Sequence, residues 1–362
     1  MRSNSLFRFP MLAVALAVCI SAGPPPASPL LRVLDRFTAA NVPAAGPTEG
    51  APIPHNWPNP AGIPERPGRG LAQHPMLYAG EGYNTIFVVN HGKVVWTWST
   101  GRGGEIDDVW MLTNGHILFT RQLQVEEVTP QKEVVWHYDA PAGTEVHSCQ
   151  PIGLDKVLLV QNGLPPKLMV IDKKTGKVEM EHALPAESLT DPKTVHPQFR
   201  RIRMTAKGTY LAPFLMMNKV VEYDKNFKPI WTYEISSPWA AVRLHNGNTL
   251  IVDEHDRLVR EVNLKGESVW EFKQADLPPD IVLHNIQTAE RLANGNTVIC
   301  SWVAGNKNFE EWPGSVQVLE VTPEKKLVWA LRSWKDPVDL GPATAIQLLD
   351  ELETKSPGGI LR

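Results

Sequence analysis

The stretches LHNGNTLIVDEHD (residues 244–256) and LANGNTVICSW (residues 292–302) are two copies of one phrase: Leu, a spacer, Asn-Gly-Asn-Thr, then an apolar run. A third copy, LTNGHIL, spans residues 112–118. Asn-Gly between runs rich in Val, Ile, Leu, Thr and aromatics is a strong hairpin signal, because tight turns between strands need positive φ. Asn114-Gly115, Asn246-Gly247 and Asn294-Gly295 therefore mark turns between antiparallel strands. Lys173-Lys174-Thr175-Gly176 and Leu264-Lys265-Gly266 mark a second hairpin later in the unit.

Extended outward, the phrase belongs to a repeat. The first complete unit holds DVWMLTNGHILFTRQ, QVEEVTP and EVVWHYDA, and four more follow in the same order up to LVWALRSW. Four-stranded units recurring every roughly forty to sixty residues read as a β-propeller, with a solenoid as the rival. The chain ends decide between them. The first unit begins with only three strands, PMLYAGEG, TIFVVNHG and KVVWTWST, and the C-terminal part offers a lone strand, ATAIQLLDE. Joining these closes a ring and removes the sheet edges that a solenoid must cap. The sequence predicts an all-β fold: a six-bladed β-propeller of four-stranded antiparallel blades. Its first blade is closed by a C-terminal strand over Ala343 to Glu351, beside Met76 to Gly80.

The remaining segments divide the chain. Residues 1–22 have basic Arg2 and Arg8 around a short apolar core and small residues, the layout of a signal peptide cleaved near Ala22. The expectation is an exported protein, periplasmic or secreted. Residues 23–73 form a Pro/Ala/Gly-rich linker or arm, 74–352 the propeller and 353–362 a tail. A net charge of −3 gives no electrostatic footprint for nucleic acid. No later apolar run is long enough for a membrane span. Cys149 and Cys300 lie in different units, without CxxC or zinc spacing, and are expected as buried free thiols. A monomer is expected.

Trp96, Trp136, Trp231, Trp270 and Trp329 hold the same place in the last strand of five units, and Met180 fills it in the sixth. Such regular repetition around a ring suits packing between blades. DKKTGKVEM (residues 172–180) resembles the docking motif of pyrroloquinoline-quinone-type (PQQ-like) propeller repeats, and HGKVVW and KGESVW are shorter versions. The quinone-dependent dehydrogenases of that group have eight blades and a vicinal cysteine pair. Six units and no adjacent cysteines argue against quinone binding here, and no cofactor is expected.

Residues that break the repeat are the better functional candidates. Loops entering the inner strands, and those between second and third strands, gather around one mouth of the channel. His147, His196 and His284 precede or begin inner strands; Asp107, Asp108 and Trp239 hold the corresponding places elsewhere. Across the second turn lie Arg121, Gln161-Asn162, Asp253-Glu254-His255 and Trp302. Three histidines at one mouth could bind a transition metal or act as nucleophile and acid–base groups, or each could bond a neighbouring blade's backbone. Arg121, Arg200 and Arg201 are placed for an anion, whereas Arg203, Arg243 and Arg291, deep in strands, are expected to tie blades together. The DEHD run at residues 253–256 lacks calcium-loop spacing and reads as a polar turn. VAGNKNFEEWPGS, residues 303–315, is a candidate lid presenting Trp312.

LHNIQTAERLANGNTVICSW (residues 283–302) also resembles the His-x-Asn segment of bacterial arylsulfate sulfotransferases, which are six-bladed exported propellers. That resemblance implies His284 as sulfuryl acceptor, Asn285 beside it, and His147 and His196 as a supporting pair. Here His and Asn are adjacent, and the arm has no counterpart of the family's N-terminal β-domain. The leading expectation is thus an exported scaffold that binds a small anionic or aromatic ligand, or a protein partner, at the mouth. An arylsulfotransferase-like enzyme is the alternative.

Overall fold

The computed structural model describes residues 28–37, 66–81, 84–99, 104–335 and 338–351; the expected signal peptide and tail, and most of the arm, lie outside them. Six four-stranded antiparallel sheets follow one another. Blade 1 holds β1 (Met76–Gly80), β2 (Thr85–Asn90) and β3 (Lys93–Ser99). Blade 2 holds β4 (Val109–Met111), β5 (Ile117–Arg121), β6 (Gln124–Val128) and β7 (Val134–Asp139). Blade 3 holds β8 (Glu145–Ile152), β9 (Lys156–Asn162), β10 (Lys167–Asp172) and β11 (Val178–Ala183). Blade 4 holds β12 (Arg203–Met204), β13 (Tyr210–Phe214), β14 (Lys219–Tyr223) and β15 (Pro229–Glu234). Blade 5 holds β16 (Pro238–Arg243), β17 (Thr249–Asp253), β18 (Leu258–Val262) and β19 (Ser268–Lys273). Blade 6 holds β20 (Asn285–Arg291), β21 (Thr297–Trp302), β22 (Val318–Val321) and β23 (Leu327–Leu331). A small ladder, β24 (Trp334–Lys335) with β25 (Val338–Asp339), leads to β26 (Ala343–Leu348). β26 pairs antiparallel with β1, Tyr78 opposite Ile346, so the last strand closes the first blade as the sequence predicts.

The Asn-Gly phrase works differently in detail. Only the glycine takes positive φ: 84° at Gly115, 88° at Gly247 and 89° at Gly295. The asparagine side chain instead accepts the backbone N–H two residues on, at 3.0, 2.9 and 2.9 Å for Asn114, Asn246 and Asn294. Each turn is a three-residue loop with an αL glycine, closed by pairs such as Leu244 N–H to the Asn248 carbonyl, 2.8 Å.

Inner and second strands are buried on both faces, whereas outermost strands such as β15 alternate between exposed and half-buried residues. The hydrophobic core is accordingly divided among the blade junctions. One cluster joins Leu77, Val88 and Trp96 of blade 1 to Val109, Phe119 and Val128 of blade 2. Five others join the remaining pairs of neighbours, including blade 6 to blade 1 through Trp329, Tyr78 and Phe87. Within the Pro-rich region, a 3-10 helix over Pro29–Arg36 buries Leu30, Val33 and Leu34 in the first of these clusters. Cys149 and Cys300 are buried and form no disulfide among the described residues.

The repeated tryptophans pack between blades. Trp96, Trp270 and Trp329 donate their indole N–H to the backbone of the next blade or the segment leading to it, at Pro130, Pro323 and Gly70. In four blades the residue opposite the tryptophan on the third strand is a buried glutamate: Glu127, Glu222, Glu261 and Glu320. Each pairs with a cation from the following blade or its entry: Lys173, Arg243, Arg291 and His74 respectively. Arg243 and Arg291 also lie over the preceding blade's Trp231 and Trp270, with guanidinium carbons 5.1 and 4.9 Å from the ring centroids.

His74 fastens the closing junction, with Nε2 3.1 Å from Glu320 and Nδ1 2.9 Å from Asp350. Burial alone would lower its pKa, but the two carboxylates raise it from 6.5 to about 9. Because the folded pKa lies above the unfolded one, the stabilisation is complete below about pH 6.5 and disappears as pH rises through about 9. His74→Gln is therefore expected to cost on the order of 2 kcal/mol at pH 6, a deficit that closes by about pH 10. Urea denaturation of both proteins across that range checks this; a deficit independent of pH would contradict the ion-pair account.

Candidate functional site

The polar groups that break the repeat gather where chain enters the inner strands. Glu105, Asp107 and Asp108 precede β4, Glu145 and His147 lie on β8, and His196, Arg200 and Arg201 lie between β11 and β12. His147 is the extra residue of a β-bulge, because the register passes from Val146 opposite Gln161 to Ser148 opposite Val160. Trp239, Gln287 and Thr344 are skipped in the same way on β16, β20 and β26. A bulge re-aims a side chain, so at these positions the inner strands turn a residue away from regular alternation.

His147 is wholly buried, with Nδ1 2.6 Å from Asp107 Oδ2 and Nε2 2.7 Å from Glu145 Oε2. The same Glu145 oxygen lies 2.7 Å from His196 Nδ1, so one carboxylate spans two imidazoles. His196 Nε2 faces Glu105 Oε1 at 3.5 Å and lies 3.0 Å from Arg200 Nη2. The Arg200 guanidinium lies over the Trp239 ring, 4.7 Å from its centroid. Four buried polar atoms of this cluster have no hydrogen-bond partner: Glu105 Oε2, Asp107 Oδ1, Arg200 Nε and Trp239 Nε1.

The local potential is negative. Burial, reinforced by the charges of Glu105 and Asp107, pushes the Glu81 carboxyl well up. Glu254, which accepts from Asn285 at 3.0 Å, is raised by burial and by the same two neighbours, against Asn285 and Arg200. Hydrogen bonds to Glu105 and Glu145 raise His196 to about 9, against burial and Arg200. Burial would raise Glu105, yet His196 and Arg200 bring it down to about 2.

Behind the cluster two arginines are consumed by structure. Arg201 donates Nε and Nη2 to the Asp107 carbonyl at 3.0 and 2.6 Å. Arg203 reaches from blade 4 past blade 3 to grip Asp108 with both Nη atoms, at 2.9 and 3.0 Å, and stacks over Trp110. Arg203 thus differs from Arg243 and Arg291, with which the sequence groups it: its partner is two blades away.

The three histidines do not form one set. Ligand atoms of Glu105, His147 and His196 all lie within 4.8 Å of one another, and His284 is not among them. Its Nε2 meets Ser315 Oγ at 2.9 Å, its N–H donates to Ser301 Oγ at 2.9 Å, and burial, aided by Arg257, lowers its pKa. Asp253 is buried in its hairpin, accepting from Asp256 N–H, and burial raises it to about 6. His255 is three-quarters exposed beside Asp256. Arg121 lies 3.8 Å from Glu126. Trp302 stands opposite Asn285 in the β20–β21 ladder. Trp312, read from sequence as a lid aromatic, is instead buried between Phe309 and Trp334, where it stiffens the insertion.

Sequence reasoning missed Glu81, Glu105 and Glu145. Two carried a signal: Glu105 and Glu145 stand two residues before Asp107 and His147, a spacing that places side chains on one side of extended chain.

No family model and no curated protein matches the chain. Solved structures do resemble it. A Bacteroides caccae protein of unknown function is 25% identical over 75% of this chain and 97% of its own, with a TM-score of 0.66. A catalytically inactive virginiamycin B lyase from Staphylococcus aureus with quinupristin is 12% identical, covering 74% of this chain and 88% of its own, TM-score 0.49. The Cps50 (Swd1) β-propeller domain from Myceliophteria thermophila is 14% identical, covering 75% and 89%, TM-score 0.47. The last two likenesses concern the fold alone.

Arg203 and Asp108 are a buried pair in which each needs the other. Arg203→Met is expected to lose about 3–5 kcal/mol by stranding the Asp108 carboxylate, and adding Asp108→Asn to recover much of it. Urea denaturation of the three variants measures the coupling; additive losses would contradict it.

Proposed function

We propose that the protein is a binding propeller whose channel mouth takes a positively charged ligand. The observation that carries this reading is the cluster of Glu105, His147, Glu145 and His196, capped by Arg200 on Trp239, set among further carboxylates of Glu81, Asp107 and Glu254. The sequence alone favours an anionic or aromatic ligand through Arg121, Arg200 and Arg201. Arg201 is already engaged by the Asp107 carbonyl and lies 3.8 Å from Asp108, so it is not available to an anion. We place the protein outside the cytoplasm on its N-terminal segment. Its docking tryptophans support kinship with PQQ-like repeats rather than quinone chemistry.

A panel divided by charge tests the reading. Spermidine and arginine amide are expected to raise the melting temperature, with the gain lost in Glu254→Gln; inorganic sulfate is expected to do nothing. Stabilisation by the anion alone would overturn it.

The arylsulfotransferase-like alternative finds support in one observation: His284 is kept neutral, as a histidine nucleophile must be, and bonded to Ser315. Against it, His147 and His196 are engaged with carboxylates instead of assisting His284. Transfer from 4-nitrophenyl sulfate to a phenol, abolished in His284→Ala, would establish that reading; no turnover by the native protein would eliminate it.

A further inference from the structure

We infer that the mouth holds a divalent transition-metal ion of the zinc class, ligated by His147, His196 and Glu105, with Glu145 as a further carboxylate donor. The inference rests on the mouth being the binding site and names what binds there.

Three observations carry it. The donor set is two imidazoles and a carboxylate whose ligand atoms lie within 4.8 Å of one another. Tetrahedral ligands around zinc stand about 3.3–3.5 Å apart at bond lengths near 2.1 Å, so the Glu105 carboxylate, which lies 3.6 Å from His147 Nδ1, must swing toward Nε2 to complete the site. Mixed nitrogen and oxygen donors suit zinc and its transition-metal neighbours better than calcium or magnesium.

The second observation is the support behind His147. Asp107, wholly buried, takes the Nδ1 proton at 2.6 Å and leaves Nε2 turned toward Glu145 and His196. A carboxylate that fixes the tautomer and orientation of a histidine ligand is what metal sites use behind their first ligands. Its second oxygen, Oδ1, is buried without a partner, so this carboxylate is not satisfied by the protein alone.

The third is Glu145 Oε2, 2.7 Å from both His147 Nε2 and His196 Nδ1. Glu145 thus turns one oxygen to both imidazoles, and a divalent ion can sit among them once these contacts open to ligand spacing. His147 sits on a bulge of β8 and His196 on the loop before β12, so the ion would fasten blade 3 to the entry of blade 4.

The full chain, purified without a histidine tag and dialysed against a chelator, should be titrated with Co²⁺ by visible absorption and with Zn²⁺ by calorimetry. One equivalent of cobalt with d–d bands, and one zinc competing for the same site, are expected. His196→Gln, at a half-exposed position, is expected to weaken binding at least 100-fold. Asp107→Asn is expected to weaken it about 10–100-fold. His137→Gln, on the outer strand of blade 2, should bind as the native protein does. Absence of a site in natively folded protein would overturn the inference, as would a site unaffected by His196→Gln. If spermidine still stabilises the protein when cobalt finds no site, the metal assignment fails and the cation-binding mouth stands. If neither binds, both fail.

Discussion

A glutamate buried against a tryptophan, and reaching a cation of the next blade, recurs at four junctions of the ring. A carboxylate taken out of water is costly unless it is paired. A blade carrying Glu222 or Glu261 is therefore incomplete until its successor supplies Arg243 or Arg291. The apolar clusters contribute most of the burial, but they are non-directional. The ion pairs specify approach: a guanidinium laid on an indole with one nitrogen at a carboxylate admits few geometries. At the last junction the cation is His74, which joins the segment before β1 to Glu320 and to Asp350 just beyond β26. Closure of the ring thus depends on one imidazole and two carboxylates as well as on the β1–β26 ladder.

That rigidity makes the mouth possible. Glu105, Asp107, Glu145, His147, His196 and Arg200 are mostly buried, and such a cluster holds its shape only on strands that cannot spread. Arg203 and Asp108 brace it from behind by connecting blades 2 and 4. The bulge at His147 then turns the imidazole out of the strand's alternation toward Asp107 and Glu145. Repeated residues build the frame, and departures from the repeat supply the chemistry.

The ring was largely legible in the sequence, because its signals are local. Gly115, Gly247 and Gly295 need positive φ whatever surrounds them, and Trp96, Trp231 and Trp329 recur at one position of each unit. Closure was legible because three strands at one end and one at the other leave a single arrangement without edges. The site was legible only in part. His147 and His196 could be named, but His196 and His284 sit at the same distance from their hairpins and end in different surroundings. Nothing local separates them: the difference lies in Glu145 on blade 3 and Ser315 on the blade 6 insertion, each supplied by another segment. Glu81 was missed for the same reason, since a single acidic residue in a turn becomes informative only beside its neighbours in space. Trp312 misled because an aromatic in an insertion looks exposed until Phe309 and Trp334 enclose it.

The central claim is that this mouth, set by bulges and braced by the ring, binds a divalent cation between blades 3 and 4. Anomalous diffraction at the zinc edge, from crystals grown with stoichiometric zinc, tests it most directly. The account predicts one strong peak within bonding distance of His147 Nε2, His196 and Glu105. Zinc found only on the outer surface, with no peak at the mouth, would contradict it.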